Sequence, residues 1–315
     1  LKIIGGKNMK VLVATEKPFA AAAVNGIRSI VEGAGYELAL LEKYTDKSQL
    51  LEAVADADAL IVRSDKVTKD VIDAAKNLKI VVRAGAGFDN LDLEACSARK
   101  IVAMNTPGQN SNAVAELVMG FMVYMSRNCF TPGTGTELIG KRIGIQAFGH
   151  VGRLVAEKAK ALGMKVMAFD PFVPADRIKA EGVEVAESLE QLYSENDFVS
   201  LHIPATPETK NSIGYALVSR MPKGGCLINS ARKEVINEEE LVKVLEERTD
   251  LKYITDIAAG NQAELNEKFG KRVFATPKKM GAETAEANIN AGLAAANQIV
   301  GFFTKGETRF QLNKF

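Results

Sequence analysis

The feature that most constrains this chain is an alternation running along nearly all of it, in which short β-branched runs are separated by longer amphipathic segments. Residues 11–14, 19–33, 37–41, 47–55, 59–62, 69–75 and 80–83 set the rhythm. After a long helical stretch, 112–127, it resumes at 143–147, 152–162, 165–169, 198–202, 226–229, 238–247, 253–256 and 273–275, and a helix-like segment, 284–303, follows. This is the βαβ pattern of parallel sheets covered by helices on both faces. The 315 residues are enough for two such α/β domains, each with its own core. A connector rich in Pro, Gly and Thr, residues 131–136, is the expected inter-domain hinge. Residues 1–8 precede Met9 and are set aside.

Composition narrows the function. Lys and Arg number 40 against 39 Asp and Glu, a net charge of +1, and no basic run exceeds a pair, so no nucleic-acid or anionic-membrane partner is expected. There is no apolar stretch of membrane-spanning length and no leader-like N-terminus. Cys96, Cys129 and Cys226 lie far apart without CxxC spacing, which predicts neither disulfides nor a metal site and suggests a reducing, cytoplasmic location.

The sharpest local signal is Ala147-Phe148-Gly149-His150-Val151-Gly152, between an apolar run and an amphipathic helix. It is a GxGxxG fingerprint with alanine first. Such a turn lets backbone approach a pyrophosphate at the helix N-terminus and packs helix closely on strand. Ala147 has to make the turn with a negative φ, while Gly149 and Gly152 keep the other two tasks. The next strand ends at Asp170, about twenty residues further on, where a carboxylate accepts from a ribose hydroxyl and repels a 2′-phosphate. The pair favours NAD over NADP. Asp170 also reads as a turn residue before Pro171. Further on, Asn229-Ser230-Ala231-Arg232, Thr255-Asp256 and the stretch from Thr276 to Thr284 each follow a strand. Arg232 can clamp a carboxylate there, or be an ordinary surface ion-pair residue.

With these motifs in place, the chain from Met9 onward resembles the D-isomer-specific 2-hydroxyacid dehydrogenases. Further matches are Arg63-Ser64-Asp65-Lys66-Val67-Thr68, Arg83-Ala84-Gly85-Ala86-Gly87-Phe88-Asp89-Asn90, Asn105-Thr106-Pro107-Gly108, Leu201-His202-Ile203-Pro204 and Gly281-Ala282-Glu283-Thr284. The Arg63 and Arg83 segments point to the branch that oxidises 3-phosphoglycerate. The resemblance implies two Rossmann-like, doubly wound domains: a discontinuous substrate domain, 9–106 with 288–315, and an inserted NAD domain, 107–287. It implies Arg63, Ser64, Gly85 and Ala86 on the substrate side, with Arg63 at the phosphate. It places Asp256 near the nicotinamide carboxamide, with His202, Ile203, Pro204, Ser230 and Ala231 along the cofactor path. It also implies a homodimer, although the Met119, Met122 and Met125 stripe reads equally as core.

Two departures stand out. The family usually carries a catalytic His after Thr-Pro, where this chain has Lys278, and a Glu five residues after the Asp, where it has Asn261. The two changes are linked chemically, because an imidazole needs a carboxylate to fix its tautomer and an ammonium does not. Lys278 is therefore expected to be the base, its proton loosened by partial burial and by Lys279 and Arg232. The resemblance implies that Arg232 holds the substrate carboxylate and keto oxygen. The expected reaction is NAD-dependent oxidation of 3-phospho-D-glycerate to 3-phosphohydroxypyruvate, the first step of phosphorylated serine synthesis. Alternatives are another D-2-hydroxy acid (glyoxylate, hydroxypyruvate or D-lactate as the substrate pair) or a non-catalytic NAD-responsive binding protein. The chain ends soon after its last helix, so serine feedback through a C-terminal domain is not expected.

Overall fold

The computed structural model describes residues 9–315, and the chain divides into two compact units, one formed by residues up to 110 together with 284–315 and the other by 111–283. The first unit opens with β1 (Lys10–Thr15), α1 (Ala21–Gly33), β2 (Glu37–Glu42), α2 (Lys47–Val54), β3 (Ala59–Val62), α3 (Lys69–Ala74), β4 (Ile80–Arg83), α4 (Leu93–Ala98) and β5 (Val102–Asn105). Its five strands are parallel in the order β2-β1-β3-β4-β5. Every residue of β3 and β5 is buried, as expected for strands covered on both faces. Local chemistry starts the helices: Asp46 and Gln49 form a reciprocal capping box on α2, and Asp92 caps α4.

The second unit contains α5 (Ser111–Ser126), β6 (Arg142–Gln146), α6 (His150–Ala161), β7 (Lys165–Phe169), α7 (Ala175–Ala180), β8 (Glu184–Val185), α8 (Leu189–Ser194), β9 (Phe198–Leu201), α9 (Tyr215–Val218), β10 (Cys226–Asn229), α10 (Glu238–Glu247), β11 (Lys252–Thr255), α11 (Gln262–Phe269) and β12 (Val273–Ala275). Its seven strands run parallel in the order β12-β11-β10-β9-β6-β7-β8. The order reverses between β6 and β9, and ligands of such sheets bind beyond the strand carboxyl ends at that point. Asn237 caps α10, and the acids Glu238, Glu239 and Glu240 fill its first turn, where the helix dipole favours them. Met122 and Met125 are core residues of this unit, with Met119 packed against them.

The chain then returns to the first unit as α12 (Ala285–Lys305), capped by Thr284 and ended by left-handed Gly306. Ala291, Ala295, Ala296 and Ile299 of α12 join Ala23, Ile27 and Val31 of α1 in one core over β1, β3 and β4. Beyond the helix, the tail runs against β5. Leu312 N donates to Ala103 O (2.8 Å), and Asn313 Oδ1 accepts from Ala103 N (2.9 Å) while its amide donates to Ile101 O (2.9 Å).

The connector 131–136 corrects one expectation, for it lies inside the second unit, and the crossings between units fall at 110/111 and 283/284. It is pinned there by Thr136 N to Ser126 O (2.8 Å), Asn128 Nδ2 to Thr134 O (2.9 Å) and Lys271 Nζ to Thr131 Oγ1 (3.0 Å). No helix among the described residues is long and apolar enough to cross a membrane.

Candidate active site

In the second unit the expected cofactor residues gather at the carboxyl ends of the strands. Gly149 caps α6, and a methyl group built on it would meet nothing within 4 Å, leaving the helix N-terminus open to a ligand. Gly152 is the opposite case, because a Cβ there would lie 2.3 Å from Ala147 O. Only glycine permits this approach of helix to strand. Ala147 departs from expectation: its φ is +78, in the left-handed region, so the turn is made at the methyl group's expense.

Asp170 shows the turn-residue character expected of it and a further contact. Its Oδ2 accepts from Phe148 N (2.7 Å) and its Oδ1 from Phe172 N (2.8 Å), so the carboxylate braces the loop after β6 as well as its own turn. The Phe148 side chain is fully buried in the core and Val151 packs against that core, so what Phe148 presents outward is backbone. His150 is exposed in the first turn of α6. His202 follows β9, with Nε2 3.0 Å from Ser200 Oγ. Its surroundings push its pKa down to about 3, so the ring is neutral at ordinary pH. Ile203 is half-buried and Pro204 exposed beyond it.

After β10, Ser230 and Ala231 are buried, and the Ser230 hydroxyl has no partner. Arg232 is half-buried, donates to Ala231 O (2.9 Å) and joins no ion pair among the described residues. Asn229 shapes this loop from beneath, accepting from Ala231 N (3.0 Å) and donating to Arg232 O (3.0 Å). Asp256, after β11, is fully buried. Its Oδ2 accepts from Gly281 N (2.6 Å), and its Oδ1 has no partner. Burial raises its pKa, and the backbone donors at Gly281 and Met280 and the charge of Lys279 counter that rise. Lys278 follows β12, and its carbonyl accepts from Thr276 Oγ1 (2.7 Å). Its side chain is exposed and unpaired, so the partial burial expected of it is absent. Asn261 precedes α11, with a buried Oδ1 that lacks a partner. Lys233 and Glu234 are exposed, as a solvated pair would be.

In the first unit, Arg63 and exposed Ser64 follow β3, and Gly85 and Ala86 follow β4. Arg63 is more occupied than a loose phosphate ligand. It donates to Lys17 O (3.1 Å), Pro18 O (3.2 Å) and Asn288 Oδ1 (2.5 Å), and stands over the Phe19 ring at 5.2 Å. Arg83 lies against Gly85, where a Cβ would meet Arg83 Nη1 at 2.3 Å, and it donates to Arg63 O and Gly87 O (both 3.0 Å). Arg83 and Asn229 carry no signal of their own in the sequence, although both stand inside the motifs that hold Gly85, Ala86, Ser230 and Arg232.

The family model for the D-isomer specific 2-hydroxyacid dehydrogenase NAD binding domain matches residues 121–278. A D-3-phosphoglycerate dehydrogenase of Methanocaldococcus jannaschii is 37% identical over 268 residues, covering 80% of this chain and 51% of that protein. A hydroxypyruvate reductase of Thermotoga maritima is 35% identical over 286 residues, covering 84% of this chain and 90% of that protein. The NAD+-bound 3-phosphoglycerate dehydrogenase of Entamoeba histolytica superposes with a TM-score of 0.87 at 50% identity, covering 98% of this chain and all of that one. The chain belongs to the D-isomer specific 2-hydroxyacid dehydrogenases. It spans about half the length of the first of these relatives.

The residues of this 2-hydroxyacid dehydrogenase fit an NAD molecule on the structure's own terms. The open α6 terminus suits a pyrophosphate, and the buried, unpartnered oxygens of Asp256 and Ser230 suit the donors and acceptors of a carboxamide.

Proposed function

We propose that this dehydrogenase oxidises 3-phospho-D-glycerate to 3-phosphohydroxypyruvate with NAD, the first step of phosphorylated serine synthesis. The observation that carries the reading is Arg232: a half-buried guanidinium without an ion pair, held at the carboxyl end of β10 close in sequence to an orphaned Ser230 hydroxyl. An uncompensated cation in that place supports a carboxylate substrate. Asp256 and Ser230 receive the nicotinamide end of the cofactor, Gly149 and His150 its pyrophosphate, and Asp170 its ribose, with His202, Ile203 and Pro204 alongside. Bound NAD supplies the acceptor for the C2 hydride. Arg232 grips the carboxylate and the developing keto oxygen, and Lys278 removes the hydroxyl proton. In the first unit, Arg63, Ser64, Gly85 and Ala86 are the residues proposed to bind substrate, and Arg83 holds its guanidinium against the Arg63 carbonyl.

The test is NADH formation from NAD and 3-phosphoglycerate with the keto product trapped. Lys278→Ala should lower kcat by roughly 10²- to 10⁴-fold and leave NAD affinity nearly intact. An unchanged rate would remove Lys278 from the mechanism, and Lys279→Ala would then be the variant to compare. The likeness to the Thermotoga reductase over most of its length favours a second reading, an unphosphorylated acid such as hydroxypyruvate. A KM that rises in Arg63→Ala or Arg83→Ala for the phosphorylated substrate alone separates the two. NAD binding without turnover on any such acid would favour a binding protein.

A homodimer is proposed as well. Val123 on α5 and the nearby Phe130, Ile139 and Leu162 are exposed apolar side chains of the second unit, the kind of surface a second copy covers. The three cysteines are free thiols, which supports a cytoplasmic location.

A further inference from the structure

The amino ends of the second unit's strands carry a feature that the cofactor-side chemistry does not use. A cavity of about 210 Å³ lies where β9, β10 and β11 begin, beside the carboxyl end of α5. Lys141, Lys223 and Lys252 line it with Asp197, Ser126 and Cys226. Three lysines thus share the lining with one aspartate, and none of the three forms an ion pair among the described residues. Asp197 is itself engaged, its Oδ2 accepting from Arg142 N (2.8 Å). Burial pushes the Cys226 thiol up to about 12, so it adds no negative charge.

Lys252 has an ordinary structural task in donating to Met125 O (3.3 Å) near the end of α5, where a cation answers the helix dipole. Lys141 donates to Thr136 Oγ1 (2.7 Å) and stands 5.8 Å from the centre of the Phe198 ring. Each of these ammonium groups keeps donors in reserve. Lys223 has no side-chain partner among the described residues. The hydroxyl of Ser126 is the second, independent sign: the residue is only 6% exposed, and its Oγ is buried without a partner. A buried hydroxyl is normally hydrogen-bonded, and Ser126 is among the residues that line the cavity.

We propose that this cavity binds a phosphate-sized oxyanion, either inorganic phosphate or the phosphoryl group of a small metabolite. The three lysines supply charge and the Ser126 hydroxyl a directed donor. The site stands at the opposite end of the strands from the loop after β6, about 13 Å away along a four-residue strand. Occupancy therefore stabilises the unit without competing for the cofactor end.

Isothermal titration of the full chain with inorganic phosphate and, separately, glycerol 3-phosphate, against chloride of matched ionic strength, tests the proposal. Ser126→Ala, which removes only the orphaned hydroxyl, and Lys223→Gln, at an exposed position, are the variants, with unaltered thermal unfolding in chloride showing that both are folded. Each should weaken phosphate binding several-fold, and the pair about tenfold. Equal dependence on the two residues for both probes supports the proposal, and the tighter probe identifies the source of the anion. Phosphate affinity that is the same in wild type and both variants belongs to other sites of the protein and overturns it.

Discussion

Ala147 holds a left-handed backbone between β6 and α6, where an L side chain costs about 1–2 kcal/mol and glycine nothing. Ala147→Gly should raise stability by about 0.5–1 kcal/mol, since the more flexible unfolded chain takes back part of the gain. Urea unfolding measures it, and a loss of stability would mean that the methyl group earns a packing contribution larger than the strain. The GxGxxG pattern told that a turn belonged here but not its hand, because the hand depends on how closely Gly152 draws α6 against the Ala147 carbonyl. At His202 the effect of environment is felt through pH. An unfolded imidazole takes up a proton below about pH 6.5, whereas the folded ring does so only near 3, so stability is lost as pH falls through that window. The loss should reach up to about 2 kcal/mol between about pH 7 and about pH 5, and His202→Asn should flatten the slope. An identical slope in the variant would place the pH dependence elsewhere. Neither the ring's neutrality nor Arg63's engagement could be read from sequence. The partner that occupies Arg63 Nη2, Asn288, is 225 residues away.

Among the elements, the strands and helices announced themselves because their burial is periodic, and α5 and α12 fall within two residues of their expected limits at each end. The connector 131–136 misled because Pro and Gly report a break in regular structure, not what lies on either side of it. Its backbone is bonded to Ser126 and its Thr131 side chain to Lys271, both in the second unit. The tail after α12 was also silent in the sequence, lacking any strand pattern, yet it shields the outer strand β5. Asn313 is the joint, satisfying Ala103 N and Ile101 O and reaching Ser97 Oγ at 3.2 Å. Asn313→Ala leaves those buried groups unpaired and should cost about 2–3 kcal/mol. Hydrogen exchange at Ala103 should rise with it, and protection equal to wild type would show that Leu312 alone holds the tail. An opened β5 edge also invites strand pairing between molecules, which light scattering on warming would reveal.

Over the whole molecule, the two units differ in how the chain supplies them: 111–283 is continuous, whereas the other needs 284–315 to return to it. Removing residues 284–315 should leave the second unit able to bind NAD while the first loses cooperative folding, since α12 provides Ala291, Ala295, Ala296 and Ile299 to its core. Calorimetry with and without NAD would show one ligand-sensitive transition in place of two, and an intact first transition would mean that α1 alone can cover that face. The same arrangement imposes a schedule during synthesis. As the polypeptide leaves the ribosome, β1 to β5 emerge before the inserted unit and must wait with one face covered by α1 without α12 while that entire unit is made. The unit begun before the insertion is thus finished after it, and that interval is when a chaperone would find it.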